Sequence, residues 1–181
     1  IFRLNERLDA GDIAAQREVT IEPGDDAQTL TARLAQLGAE ELIRILEAIE
    51  TGGATWRPQD ESQVSLSPKL TKAQGRIDWS QPAEVIARLV RAVVPWPGAT
   101  AQWQGRPVKI WSVSADPSTP ASIKAPPAPG TVVEVTPEAM TVAAGSGVIR
   151  VKELQPAGRR RMPAREFLAG HPVRVGDQFG P

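Results

Sequence analysis

The sequence predicts an α+β chain: a mostly helical, acidic front followed by a small, basic Greek-key β-barrel of the OB type. Three observations carry that expectation. Apolar residues recur at helical spacing over Leu30–Ile49 and Val85–Val94, and five short strand-like runs separated by turns fill the stretch beyond Gly98. The charge also changes sign along the chain. Residues 1–68 hold 6 Lys/Arg against 13 Asp/Glu, a net −7, whereas residues 69–181 hold 15 Lys/Arg against 8 Asp/Glu, a net +7. The overall balance of zero thus conceals one half suited to a polyanion.

Composition narrows the classes. At 41% hydrophobic the chain can bury a core, and its charge is too low and too mixed for compositional disorder. Cys is absent and His171 is the only histidine, which excludes disulfides, thiolate metal sites and multi-His zinc. No run approaches the ~18 apolar residues of a membrane span, and no signal-peptide pattern appears. A reducing, cytoplasmic setting without a membrane partner is expected. Because the chain opens at Ile1 inside a strand-like run without an initiator Met, a piece of a longer protein is expected.

Taken in order, Ile1–Leu4 is strand-like, Asn5 to Asp12 is a polar turn around Gly11, and Ile13–Ile21 alternates as a second strand. Pro23-Gly24 breaks it, and Asp25 or Asp26 can cap a long helix. Leu30, Leu34, Leu37, Leu42, Ile45, Leu46 and Ile49 should form one buried face, with Gly38 a point of kinking and Gly52-Gly53 the stop. Trp56–Thr71 has no sustained period and reads as an extended surface linker. Ser80 is the expected N-cap of a second helix whose apolar face is Val85, Ile86, Leu89, Val90, Val93 and Val94; Pro95 and Pro97 end it. Strands are expected at Ala99–Trp103, Pro107–Val113, Thr131–Thr136, Met140–Ala144 and Val148–Leu154. Between the second and third, Ser114–Gly130 is rich in Pro, Ala and Ser and reads as a mobile excursion. A short helix at Pro163–Ala169 and a strand-like Val173–Gln178 complete the chain.

Individual residues allow more than one use. Asp9 lies in a tight loop, where acidic residues beside glycine commonly serve turn chemistry, and no nearby histidine stands ready for it to orient. Gly145-Ser146-Gly147 lacks a following helix and a Lys-Ser/Thr pair, so it reads as a hairpin turn and not a phosphate loop. Arg159-Arg160-Arg161 is the densest positive run, with Arg150, Lys152 and Arg165 close in sequence: a solvated loop or a phosphate-facing patch. With five Trp, three Phe and no Tyr, contact with phosphates and the shape of an A-form stem is favoured over base stacking. Trp79 and Trp96 are expected to pack the two ends of the second helix, and His171 to lie at the surface or cap a helix.

Several of these stretches together resemble the methionyl-tRNA formyltransferase family: Asp9-Ala10-Gly11-Asp12-Ile13, Lys69-Leu70-Thr71-Lys72, Gly75-Arg76-Ile77-Asp78-Trp79, Pro95-Trp96-Pro97-Gly98, Lys109-Ile110-Trp111 and Leu154-Gln155-Pro156-Ala157-Gly158-Arg159. The resemblance implies the C-terminal remnant of a Rossmann-like α/β formyltransferase domain in residues 1–55, a linker in 56–79 and an OB-like tRNA-binding domain in 80–181. It implies transfer of formyl from 10-formyltetrahydrofolate to the α-amine of initiator methionyl-tRNA, without metal, by a monomer. Asp9 matches the family's catalytic Asp; the family's Asn, His and Ser-Leu-Leu-Pro segment would precede Ile1, so this chain alone should be inactive. Lys69, Lys72, Arg76, Lys109, Arg150, Lys152, Arg159, Arg160 and Arg161 are the expected tRNA-binding residues. Two other readings remain at this point: a relative that formylates sugar nucleotides, and an RNA-binding module without chemistry.

Overall fold

A computed structural model of the chain describes residues 1–118 and 127–181, arranged as two compact units, Ile1–Lys69 and Leu70–Pro181. The first unit is built on helix α1 (Ala27–Glu50). Asp26 caps it: Oδ1 accepts from the backbone N–H of Gln28 (2.9 Å) and Thr29 (2.8 Å), and Thr29 Oγ1 accepts from the Asp26 N–H (3.0 Å). The helix runs unbroken through Gly38 and stops where Gly52 takes φ +72°, so the expected division at Gly38 does not occur.

The apolar face of α1 also departs from expectation. None of its residues is fully buried, and Leu34, Leu42, Leu46 and Ile49, with Ile43, are exposed. The side that is partly covered carries Arg33, Leu37, Glu41 and Ile45. There Arg33 reaches the Thr20 carbonyl (2.8 Å) and Asp25 (2.5 Å), and Arg17 pairs with Glu41 at 2.9 Å. Nor do Ile1–Leu4 and Ile13–Ile21 form strands. Phe2 bridges Ile13, and Ile13 bridges Arg57, as isolated pairs, because no third strand extends the ladder within this unit. Trp56–Thr71 is irregular and largely exposed apart from a 3₁₀ turn at Glu61–Gln63.

The second unit holds the core. Helix α2 (Ala83–Ala92) buries Ala83, Ile86, Ala87 and Val90, an i, i+3, i+4, i+7 stripe. Its N-cap is Pro82, not Ser80. Asp78 displaces Ser80 from that role by accepting Ser80 Oγ (2.6 Å), Ser80 N–H (3.0 Å) and Gln81 Nε2 (3.0 Å) in a turn ahead of the helix. The Gly145–Gly147 turn holds α2 in place, with Ala83 N–H donating to Ser146 O (2.9 Å) and Gly145 N–H to Gln81 O (2.9 Å).

Among the described residues seven strands form one curled antiparallel sheet: β1 (Ala99–Trp103), β2 (Arg106–Asp116), β3 (Val132–Val135), β4 (Met140–Ala143), β5 (Val148–Pro156), β6 (Met162–Pro163) and β7 (Phe179–Gly180). Their order is β3-β4-β5-β2-β1-β7, with β6 on β5, so β3-β4-β5-β2 is a Greek key. Residues 176–179 also bond to 130–132 (Gly176 N–H to Val132 O, Val132 N–H to Asp177 O and Phe179 N–H to Gly130 O, each 2.8 Å). The two ends of the strand order are thereby joined.

Some expected boundaries shift. β2 continues through Ser114–Asp116, paired to β5 as far as Val148, so those residues are strand and not part of an excursion. Residues 119–126 of that proposed excursion lie outside the described residues. The final strand is Phe179–Gly180 rather than Val173–Gln178, since the Arg174–Asp177 turn occupies the latter: Asp177 accepts the Arg174 N–H (2.9 Å). Helix α3 (Ala164–Gly170) ends at His171, which serves as its cap. The His171 ring stacks on Phe167 (4.2 Å, 16°), and its Nδ1 lies 2.9 Å from Phe167 O. Of the two tryptophans expected to pin α2, Trp79 is buried against Phe179 (5.9 Å), but Trp96 is 54% exposed. Val93, Val94 and Pro97 fill the core beside it instead.

One close approach fixes the entry to this unit. Lys72–Gly75 is a single 3₁₀ turn, after which Arg76 bridges Thr100 and Ile77 N–H donates to Thr100 O (2.8 Å), laying the segment along β1. A Cβ on Gly75 would stand 2.4 Å from the Gly98 carbonyl oxygen, so only glycine lets the two backbones meet. Gly75→Ala should therefore destabilise the second unit by about 1–3 kcal/mol, read as a lower urea midpoint. Hydrogen bonds from Ser80 and Gln81 hold the Asp78 carboxyl below its ordinary range. Its stabilisation is present above the unfolded value near about pH 4 and lost as pH falls through the lower folded value. The midpoint difference between wild type and Asp78→Ala should be steady at neutral pH and close on acidification.

Candidate nucleic-acid interface

The Gly75–Gly98 contact sets three cations around one opening. Lys72 comes from the 3₁₀ turn and Arg76 from the residue after it. Lys109 projects from the outer side of β2, between buried Val108 and Ile110, and its Nζ donates to Pro97 O at 3.1 Å. Gly98 has φ +80°, and a Cβ there would press on Lys109 Cδ and Nζ at 3.3 Å. These pieces bound a cavity of about 410 Å³ whose lining includes Lys72, Arg76, Trp96, Thr100, Gln102 and Lys109 and, among the described residues, no Asp or Glu side chain. Among the described residues none of the three cations forms an ion pair.

Lys109 also belongs to a second cluster. Its Nζ is 5.9 Å from the centre of the Trp111 ring, and the Arg161 guanidinium lies over the same ring at 5.1 Å. Trp111 Nε1 donates to Gln155 Oε1 (3.1 Å), and Gln155 Nε2 donates to Arg159 O (2.8 Å). Trp111 sits at an irregularity in the β2–β5 ladder, where Ile110 faces Leu154 and Ser112 faces Glu153. Its part in gathering positive charge was not among the expectations. The signal was there in Lys109-x-Trp111, since residues two apart on a strand share a face.

The remaining expected RNA-binding residues separate into distinct environments. Arg160 pairs with Glu166 at 2.5 Å, and Arg161 forms a charged pair with Glu153, its Nε 2.9 Å from Oε2. Arg150 reaches Glu134 at 3.4 Å and faces Ser114 across β2, five residues along β5 from the Gln155–Lys109 pairing. Lys152 and Arg159 are exposed, and neither is in an ion pair among the described residues. Lys69 is exposed at the end of the first unit. The structure thus brings Lys72, Arg76 and Lys109 together and links Arg161 and Arg159 to them through Trp111 and Gln155. It sets Arg150 at the far end of β5.

Asp9 lies in the first unit in a loop with φ +51°, braced by Gln59 Nε2 donating to Asp9 O (2.8 Å) and Gly11 O (2.7 Å). It borders a cavity of about 650 Å³, together with Arg7, Gln59, Glu61 and Leu66. Arg7 bonds Glu61 at 2.6 Å, and that hydrogen bond holds the Glu61 carboxyl below its ordinary range. Among the described residues neither an Asn side chain nor a histidine lines this cavity. Two carboxylates, Asp9 and the Arg7-paired Glu61, without those donors are an incomplete set for stabilising a formyl-transfer oxyanion, so the residues present do not by themselves complete such a site.

Comparison with known proteins gives this arrangement a family. Residues 69–172 match the family described as "Formyl transferase, C-terminal domain". Proteins named methionyl-tRNA formyltransferase are similar across the chain. That of Solibacter usitatus is 39% identical over 99% of this chain and 55% of its own length, and that of Burkholderia ambifaria is 39% identical over 99% and 54%. The chain therefore spans about half the length of the curated relatives it matches. Two structures of HypX from Aquifex aeolicus, a six-substitution variant and a complex with tetrahydrofolic acid, superpose with TM-scores of 0.71 and 0.70. Each is 22% identical over 98% of this chain, covering 31% and 30% of HypX respectively, which establishes likeness of fold alone. By the match across its second unit, the chain belongs to the formyl transferase C-terminal domain family.

Proposed function

We propose that this chain is part of a methionyl-tRNA formyltransferase, which transfers formyl from 10-formyltetrahydrofolate to the α-amine of initiator methionyl-tRNA, and that its second unit grips RNA phosphates. The observation that carries the RNA-binding part is the convergence of Lys72, Arg76 and Lys109 on a cavity that no Asp or Glu side chain among the described residues lines. The names of relatives 39% identical over nearly the whole chain support the reaction.

In this reading residues 1–55 belong to the Rossmann-like catalytic domain and 56–79 are the linker, whose end delivers Ile77 and Trp79 to a core. Residues 80–181 are an OB-like tRNA-binding domain, a reading supported by the curled sheet and its Greek-key order. The exposed row of Leu34, Leu42, Leu46 and Ile49 on α1 is the surface that more of such a catalytic domain would cover. Asp9 would orient and charge a histidine supplied from outside these residues. Lys69, Arg150, Lys152, Arg159, Arg160 and Arg161 extend the proposed RNA-facing surface around the three-cation cavity. The enzyme acts as a cytoplasmic monomer in this account; no helix among the described residues is long and apolar enough to cross a membrane.

The reaction is tested by offering the full-length polypeptide that carries this chain methionyl-tRNA and an amino-sugar nucleotide with the same formyl donor. Formylation of the tRNA alone is expected, and formylation of the sugar alone would overturn the assignment. For the interface, combined Lys72→Ala, Arg76→Ala and Lys109→Ala should reduce the slope of log affinity against log salt by about 0.9 for each phosphate no longer neutralised. Arg160→Ala with Arg161→Ala should change it less, because carboxylates already neutralise both side chains. An unchanged slope in the triple variant would remove the cavity from the interface.

A further inference from the structure

We propose that the Trp96 cavity takes one unpaired nucleotide of the RNA, its base stacked on the indole and its phosphates held by Lys72, Arg76 and Lys109. This rests on the RNA-binding reading above and adds to it which part of the RNA enters. The second unit otherwise hides its aromatic side chains: Trp79, Trp103, Phe167 and Phe179 are each at most 6% exposed, and Trp111 is half-buried beneath Arg161. Trp96 alone leaves more than half its surface open, and it does so inside a cavity rather than on a convex face.

The flanking residues suit a stacking platform. Pro95 and Pro97 fix φ on either side of Trp96, and Pro97 O is tied to Lys109 Nζ at 3.1 Å, so little backbone freedom is left for a ligand to remove. A volume of about 410 Å³ falls within the range of roughly 300–1,000 Å³ usual for small-ligand sites. Lys109 keeps two ammonium protons beyond the one given to Pro97 O, and among the described residues no Asp or Glu side chain pairs with Lys72 or Arg76. Gln102 adds an amide able to donate and accept at a base edge. The bases of an A-form stem are stacked and its major groove is too narrow for side chains, so within a continuous stem no base face is open to the indole, whereas an unpaired base offers one. Cations beside an aromatic face are the pairing used for single strands in general, where stacking is tolerant of sequence.

The test measures binding of the intact protein to two RNA hairpins of identical stem, one ending in a four-nucleotide single-stranded 3′ end and the other blunt. Trp96→Ala should weaken the first by roughly 5- to 150-fold and leave the second unchanged. Trp96→Phe should restore much of the affinity, and Lys72→Ala with Arg76→Ala should weaken the first hairpin and flatten its salt dependence. Equal weakening for both hairpins, or none for either, would overturn the nucleotide pocket while leaving RNA binding intact. Failure of the wild-type protein to bind either hairpin would overturn the RNA-binding reading itself, and this proposal with it.

Discussion

Two backbones touching at Gly75 and Gly98 decide where charge can gather on the second unit. Side chains of Lys and Arg are long, and left to themselves they spread into solvent at little energetic cost. What makes Lys72, Arg76 and Lys109 a group is that the turn bearing the first two is pressed against the end of the Pro95–Gly98 segment, while β2 brings the third to the same place. The core beneath depends on the same contact, because Ile77 and Trp79 follow directly and are buried. A cluster of positive charge and a folding constraint share one pair of residues.

Charge on this unit divides into what is available and what is already neutralised. Arg150, Arg160 and Arg161 each have a carboxylate partner, whereas the cavity cations have none among the described residues. Exposed pairs add little stability, so their effect lies chiefly in the field they leave behind. Over a screening distance of about 8 Å at physiological salt, a paired arginine presents a dipole and an unpaired lysine a full charge. Two of the three arginines in the densest basic run of the sequence are therefore already paired in the fold.

Much of this was legible in the residues. Helix α2 and the main strands follow from periodicity and turn chemistry, because their alternation reflects burial within one unit. Where the reading failed, the deciding partner was remote in sequence. Ile1–Leu4 and Ile13–Ile21 have strand-like patterns, but a strand needs a neighbour, and isolated bridges are all this unit provides. The α1 stripe correctly marked a helix while leaving open what would cover it. Ser80 looked like a cap, yet the turn formed by Asp78 took its hydrogen bonds first. Trp96 was expected in the core because tryptophan usually is; Val93, Val94 and Pro97 had filled the space. Pairing of Arg160 and Arg161 could not be read from their run, since Glu153 and Glu166 approach through the fold.

The joining of residues 176–179 to 130–132 has a consequence for how the unit is made. The β3-β4-β5 meander is local and can assemble as soon as it leaves the ribosome. β7 is the last strand to emerge, and until it does, Gly130 and Val132 lack the partners that residues 176–179 supply. A nascent chain paused before residue 176 would display a raw sheet margin, the kind of edge that invites another strand. Vulnerability to self-association during synthesis is thus concentrated in the interval before those few late residues dock.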